Sequence, residues 1–96
     1  MQLSEALESV TDASSFLVFV RMLATDRADA AKKEAADPSN PYGSDANGWE
    51  NSTIEAFLGA AIAWAEASDF GRRQGVSLDN QWKSFALFLY CGKTYE

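Results

Sequence analysis

Residues 51–68 read NSTIEAFLGAAIAWAEAS. Ser52 stands three residues ahead of Glu55, the S-x-x-E pattern of a capping box, so a helix begins there. Ile54, Phe57, Leu58, Ala61, Ile62, Trp64 and Ala65 cover one wide face of that helix. Ala56, Ala60, Ala63 and Ala67 form a second stripe nearly opposite, and only Glu55, Gly59 and Glu66 mark a polar edge. A helix apolar on two sides belongs in the middle of a bundle. The spacing therefore predicts an all-α fold with Ser52–Ser68 as its central helix. The large face meets one neighbour, and the alanine stripe meets another helix or a second subunit.

Upstream of that helix lies Pro38–Asn51, PSNPYGSDANGWEN, a connector of turn-forming residues that is long for a helix–helix link. Tyr42 and Trp49 argue that it is structured. Trp49 precedes the helix cap, where it can pack back on Ile54 or Phe57 as a hydrophobic staple does. Before the connector, Thr11 or Asp12 caps a long helix that stops near Asp37, because Pro38 cannot continue it. From Asp12 to Ala36 such a helix is about 37 Å long, more than one small core covers, so its last turns carry less burial. Phe16, Phe19, Val20, Leu23, Ala24 and Ala31 share its apolar face, and Arg27 falls in the middle of them. A guanidinium there either snorkels to water or finds an acceptor on the connector, with Glu50 the first choice.

The ends complete the bundle. Leu3, Ala6, Leu7 and Val10 share one side of a short N-terminal helix or turn. Asp69–Asn80 is a loop broken by Gly71 and Gly75. Asn80 caps a helix over Gln81–Cys91, closed by Gly92. The run FALFLYC also suits a buried strand, since short apolar runs are ambiguous. Trp82, Phe85, Ala86 and Leu89 fall on one face of the helix, and Leu87, Phe88 and Cys91 on the other. Together these readings predict a small single-domain helical bundle over residues 1–96, with three main helices and a long structured connector.

Composition narrows the chemistry. The chain has no histidine, so the commonest general base and the commonest transition-metal ligand are both missing. Cys91 is the one cysteine, so neither an intrachain disulfide nor a Cys–His pair can form. Asp45–Glu55 superficially suggests a calcium loop, but Glu50 occupies the sixth position, where that loop needs glycine. No metal or other cofactor is expected. The net charge of −6, with Arg72-Arg73 too short a basic cluster to make a patch, argues against nucleic acid. No window reaches the ~18 apolar residues of a membrane span, and the start has no basic-then-apolar leader, so the cytoplasm is the expected location.

The run Trp49-Glu50-Asn51-Ser52-Thr53-Ile54-Glu55-Ala56-Phe57-Leu58, W-E-N-x-T-I-x-x-F-L, resembles the signature of a family of short bacterial proteins classed as a domain of unknown function. VTDASSFLVFVRMLATDR and WKSFALFLYCGKTYE extend the likeness over most of the chain. The resemblance implies a bacterial source and one helical domain, and brings no catalytic residue or cofactor with it.

The first functional reading is a binding module rather than an enzyme: an inhibitor, immunity-type or adaptor protein. Its partner is a protein, a basic one by charge. Its contacts come from Arg27, Tyr42, Trp49 and Glu50 around the connector, and from Phe88, Leu87 and Cys91 behind the last helix. Homodimerisation is the other use of that last surface. A second reading is a small-ligand pocket between connector and helices, lined by Arg27, Tyr42 and Trp49. A third is a carboxylate enzyme using Asp45, Glu50 and Glu55, with Arg27 orienting one of them.

Overall fold

The computed structural model describes residues 1–77 and 79–96. Among these, four α-helices and two 3₁₀ turns account for the regular structure, and the fold is all-α. Helix α1 spans Leu3–Glu8, α2 Ala13–Ala36, α3 Ile54–Ser68 and α4 Gln81–Thr94. The 3₁₀ turns are Ala46–Gly48, inside the connector, and Arg72–Gln74, inside the α3–α4 loop. Of that loop, Leu78 lies outside the described residues.

Local chemistry sets the helix ends. The Asp12 carboxylate accepts the Ser15 N–H at 2.9 Å, and the Ser15 hydroxyl accepts the Asp12 N–H at 3.0 Å, a reciprocal cap at the start of α2. α2 ends at Ala36, two residues before Pro38. Its 24 residues extend about 36 Å and dominate the longest dimension of the molecule, 42 Å. The Asn80 side chain accepts the Lys83 N–H at 3.1 Å and starts α4. At α3 the cap lies one residue later than the capping-box pattern suggests: Thr53, rather than Ser52, accepts the Ala56 N–H at 3.1 Å. Asp69 at φ 51° closes α3 in the left-handed region.

The core is built on α2 and α4. Phe19 and Leu23 of α2, Ala86 of α4, Ala6 and Val10 from the N-terminal segment, and Trp49 of the connector form one buried cluster. The buried side of α2 continues through Ala30, while Ala24 and Ala31, expected on that side, are exposed. Phe16, Trp82 and Phe85 pack as an aromatic trio with centroids 5.5 to 6.4 Å apart. α4 touches α1, α2 and α3, so it occupies the middle of the bundle, the place expected for the 54–68 helix. α3 packs on α4, with Phe57 against Gly92, and buries Ala61, Trp64, Ala65 and Ser68, whereas Ile54, Leu58, Ile62, Ala63 and Ala67 are open to solvent. Of its alanine stripe, Ala56 and Ala60 are half-buried and Ala63 and Ala67 exposed, and the open residues Ile54, Leu58 and Ile62 come from the large face that was expected to meet a neighbour.

Two sequence expectations about α4 change with this placement. Leu87, Phe88 and Cys91 are half-buried rather than an open patch, and the Phe88 ring stacks on Phe70 at 6.0 Å. Burial pushes the Cys91 thiol up to about 11. Gly92 does not close the helix, which continues to Thr94. A Cβ on Gly92 would stand 2.7 Å from the Phe57 ring, so the glycine lets α3 and α4 approach closely. Gly92→Ala should therefore lower stability by about 1–2 kcal/mol, the overpacking cost outweighing alanine's better helix propensity. Urea denaturation of Gly92→Ala, alone and with Phe57→Leu, checks this: the smaller side chain should recover most of the loss.

Candidate functional site

The connector is fastened to the helices at its neck, Ser39 and Ala46, and from Asn47 to Asn51, while its tip, residues 40–43, stands exposed. The Glu34 carboxylate accepts the Ser39 N–H at 2.8 Å, the Ser39 hydroxyl, and the Ala46 N–H at 2.7 Å, closing the neck of the loop between them. These bonds hold the Glu34 carboxyl below its ordinary value, the Ser39 hydroxyl contributing most. Asn47, in the left-handed region at φ 60°, donates to the Asp26 carbonyl at 3.2 Å and to Asp29 Oδ2 at 3.0 Å, and accepts from Lys33 Nζ at 2.8 Å. Asn tolerates that backbone conformation better than most residues. Neither Glu34 nor Asn47 stands out on a helical wheel or in a loop. The available signal was a connector rich in backbone N–H groups, each of which needs an acceptor.

The next three residues, Trp49, Glu50 and Asn51, each reach a different target. Trp49 is 4% exposed and packs on Phe57 with ring centroids 6.0 Å apart. Its indole N–H donates to Asp26 Oδ2 at 2.8 Å. The same oxygen accepts from Lys93 Nζ at 2.7 Å, and the Lys93 side chain is 10% exposed. The Glu50 backbone N–H donates to the Lys93 carbonyl at 3.0 Å. Asn51 Nδ2 donates to the carbonyls of Gly92 at 3.0 Å and Tyr95 at 2.8 Å. A helix leaves its last carbonyls without intrahelical partners. Glu50 and Asn51 supply partners from a distant part of the chain, so the run joins α2, the start of α3 and the end of α4 in one clasp.

Arg27 lies beside this clasp. Its guanidinium carbon is 5.4 Å from the Trp49 ring centroid, and Lys93 Nζ is also 5.4 Å from it. Its nearest carboxylate among the described residues is Asp45, at 3.9 Å, and among them the buried Nη1 has no hydrogen-bond partner. The expected link to the connector therefore runs to Asp45, loosely, and not to Glu50. Glu50 is exposed, and a hydrogen bond with the Glu96 side chain, then partial burial and the Glu96 charge, raise its carboxyl above the ordinary value. Tyr42 is 98% exposed at the loop tip, away from Trp49 and Arg27. Of the residues singled out by sequence, Arg27 and Trp49 come together, while Tyr42, Glu50 and Phe88 stand apart.

Arg27 and Trp49 share a groove of about 410 Å³ with the start of α3. Trp49 and Phe57 supply its aromatic side, Ile54 and Leu58 its outer aliphatic wall, and Asn51, Ser52 and Thr53 a polar rim. From that wall a row of aliphatic side chains runs along the outside of α3. Ile54 is 78% exposed, Leu58 46% and Ile62 49%.

A model of a family of unknown function, DUF7660, matches residues 12–96. The chain belongs to that family. No curated protein and no solved structure matches it. The matched region contains the whole clasp, the groove and the α3 row, while α1, which gives Ala6 to the core, precedes it. No described helix is long and apolar enough to cross a membrane.

Acid should loosen this architecture from the connector and the α2 cap. Asp12, Asp29 and Glu34 all have carboxyls below their ordinary values, for which Ser15, Asn47 and Ser39 respectively are the leading causes. A depressed group stabilises the fold above its unfolded value and loses that effect as pH falls through the folded one. Melting temperature should thus decline as pH drops below 4.5, the ordinary Glu value. Glu34→Gln should flatten the decline. Glu50 has the opposite sign: its contribution is present below 4.5 and lost as pH rises through its raised value, which should release the Glu96 tail. Thermal melts of wild type, Glu34→Gln and Glu50→Gln across this range check both signs.

Proposed function

We propose that the protein is a binding module for a protein partner, of the inhibitor, immunity-protein or adaptor type, and that the partner docks on the outer face of α3. The row Ile54, Leu58, Ile62 carries this reading. Its members recur every fourth residue over about 12 Å, on a helix whose other side already supplies its packing. Contiguous exposed apolar surface marks interaction sites. Gly59 supports the same reading. It lies mid-helix beside the row, and a Cβ there would meet nothing within 4 Å. Glycine at such a position costs about 1 kcal/mol relative to alanine, and no contact among the described residues uses the space. Gly59 and the exposed Ala63 leave room for a second helix backbone to come close.

Charge selects the partner. Glu55 and Glu66 are exposed at the two ends of the row, and the chain carries −6 overall. A second copy would bring the same charges to the interface. A partner with an aliphatic helix face flanked by Lys or Arg would neutralise them. The heterologous partner is therefore favoured over a homodimer, and neither nucleic acid nor catalysis is part of the proposal. A bacterial source and a cytoplasmic location belong to the same reading.

Proximity labelling in the native host, with wild type and an Ile54→Ser/Leu58→Ser/Ile62→Ser variant, identifies the partner. Calorimetry with that purified partner then tests the face. The variant should bind roughly 30-fold more weakly or worse, the loss of about 2 kcal/mol typical of an interface hot spot, at an unchanged melting temperature. Equal affinity for wild type and variant would refute docking on α3.

A further inference from the structure

We infer that Asn47-Gly48 is a self-modification site, where deamidation occurs when the connector lifts from α2 and then blocks its return. This is independent of protein docking on α3. Asn-Gly is the dipeptide that deamidates most readily, because Gly48 has no side chain to crowd its backbone nitrogen. That nitrogen gives its proton to hydroxide and attacks Asn47 Cγ. A new C–N bond closes a succinimide ring, and the side-chain nitrogen takes a proton from water and leaves as ammonia. A further water then opens the ring at either of its carbonyls, leaving aspartate or isoaspartate. Water supplies every atom gained.

The folded chain withholds Asn47 from this reaction. Its Nδ2 donates to the Asp26 carbonyl at 3.2 Å and to Asp29 Oδ2 at 3.0 Å, and its Oδ1 accepts from Lys33 Nζ at 2.8 Å. The Gly48 N–H is itself taken up by the Asp45 carbonyl at 3.2 Å. Ring closure turns the Asn47 side chain back over its own peptide, so these bonds must break first. The opening this requires is local. The Lys33 and Asp29 side chains are more than half exposed, and residues 40–43 already stand clear in solvent. Trp49 is held separately, by Phe57 and Asp26. Residues 39–48 therefore lift at their neck, where Glu34 holds Ser39 and Ala46, while 49–51 and the helices stay in place.

The product no longer fits the place that Asn47 left. A carboxylate at position 47 cannot donate, so it sets acceptor against acceptor at the Asp26 carbonyl and puts a like charge beside Asp29. Isoaspartate also lengthens the backbone just before Gly48. Each excursion of the connector thus leaves some chains permanently released, and the fraction modified records how long the connector has been open.

Peptide mapping of the full chain, incubated at mildly alkaline pH, reads deamidation at position 47. In wild type it should run at least about tenfold slower than in the same chain unfolded by urea, because only the open fraction reacts. Glu34→Ala, which frees the neck, should speed it about tenfold while the amides of α2 and α4 stay protected from hydrogen exchange. Asp29→Ala, which removes one acceptor and leaves the neck intact, should speed it about threefold. Asn47→Asp, which reproduces one product, should raise exchange at the Ala46 and Gly48 amides about tenfold and leave the Trp49 indole N–H unchanged. A wild-type rate equal to that in urea, variants no faster than wild type, or wild-type exchange in Asn47→Asp would each overturn the inference.

Discussion

Trp49→Ala should lower the unfolding free energy by about 3–5 kcal/mol, the range for truncating a buried large aromatic. Typical domains have about 5–15 kcal/mol in total, so this change alone should bring the chain close to unfolding at room temperature. The side chain is buried, packs on Phe57, and gives its N–H to Asp26. Removing it opens a cavity between α2, α3 and α4 and takes away one of the two donors to Asp26 Oδ2, leaving Lys93 as the other. Trp49→Phe separates the two losses. It keeps most of the apolar contact and forfeits only the bond to Asp26, so about 1–2 kcal/mol should be lost. Urea denaturation of both variants reads the difference. A Trp49→Ala chain as stable as wild type would remove Trp49 from the framework.

The ion pair beneath the indole should give the second large effect. Lys93→Met should cost about 3 kcal/mol, the lower end for breaking a buried pair, because Asp26 retains the indole N–H and partial access to water. Asp26→Ala should cost more, since it strands both Lys93 and Trp49. Asp26→Leu combined with Lys93→Met should cost far less than the sum of the single changes, because no charge is then left unpaired. Simple additivity in this cycle would mean that the two residues do not act as a unit.

Helix positions were largely legible because their signals are local. Asp12, Pro38 and Asn80 act on atoms a few residues away, so capping rules place those ends of α2 and α4 closely. Gly92 misleads because its role is not local. It looks like a helix stop, yet its missing side chain makes room for Phe57, 35 positions earlier in the sequence. Two-sided apolar character was also ambiguous. On α4 both sides meet other parts of the chain, with Phe88 against Phe70 and Phe85, half open, against Phe16 and Trp82, whereas on α3 one side faces outward. A helical wheel reports apolar faces without reporting what covers them.

The site divides in the same way. Arg27 on the apolar side of α2 and Trp49 at the entrance to α3 were both visible by position. Asp45 stood among the three carboxylates that Arg27 could orient, whereas Asp26 and Lys93, which hold the Trp49 indole, look like ordinary surface charges until the chain folds back. The long reach of Asn51 to the end of α4 was equally hidden, since an Asn before a helix usually bonds its own neighbours.

Hydrogen exchange of the Trp49 indole N–H tests most directly whether the connector is part of the folded framework and α3's outer face is the surface left for binding. If Trp49, Glu50 and Asn51 form a clasp, that proton exchanges only by global unfolding, with the same free energy as the slowest amides of α2 and α4. Exchange through a local opening, fast while those helices stay protected, would contradict it and make the connector itself the moving, partner-seeking element.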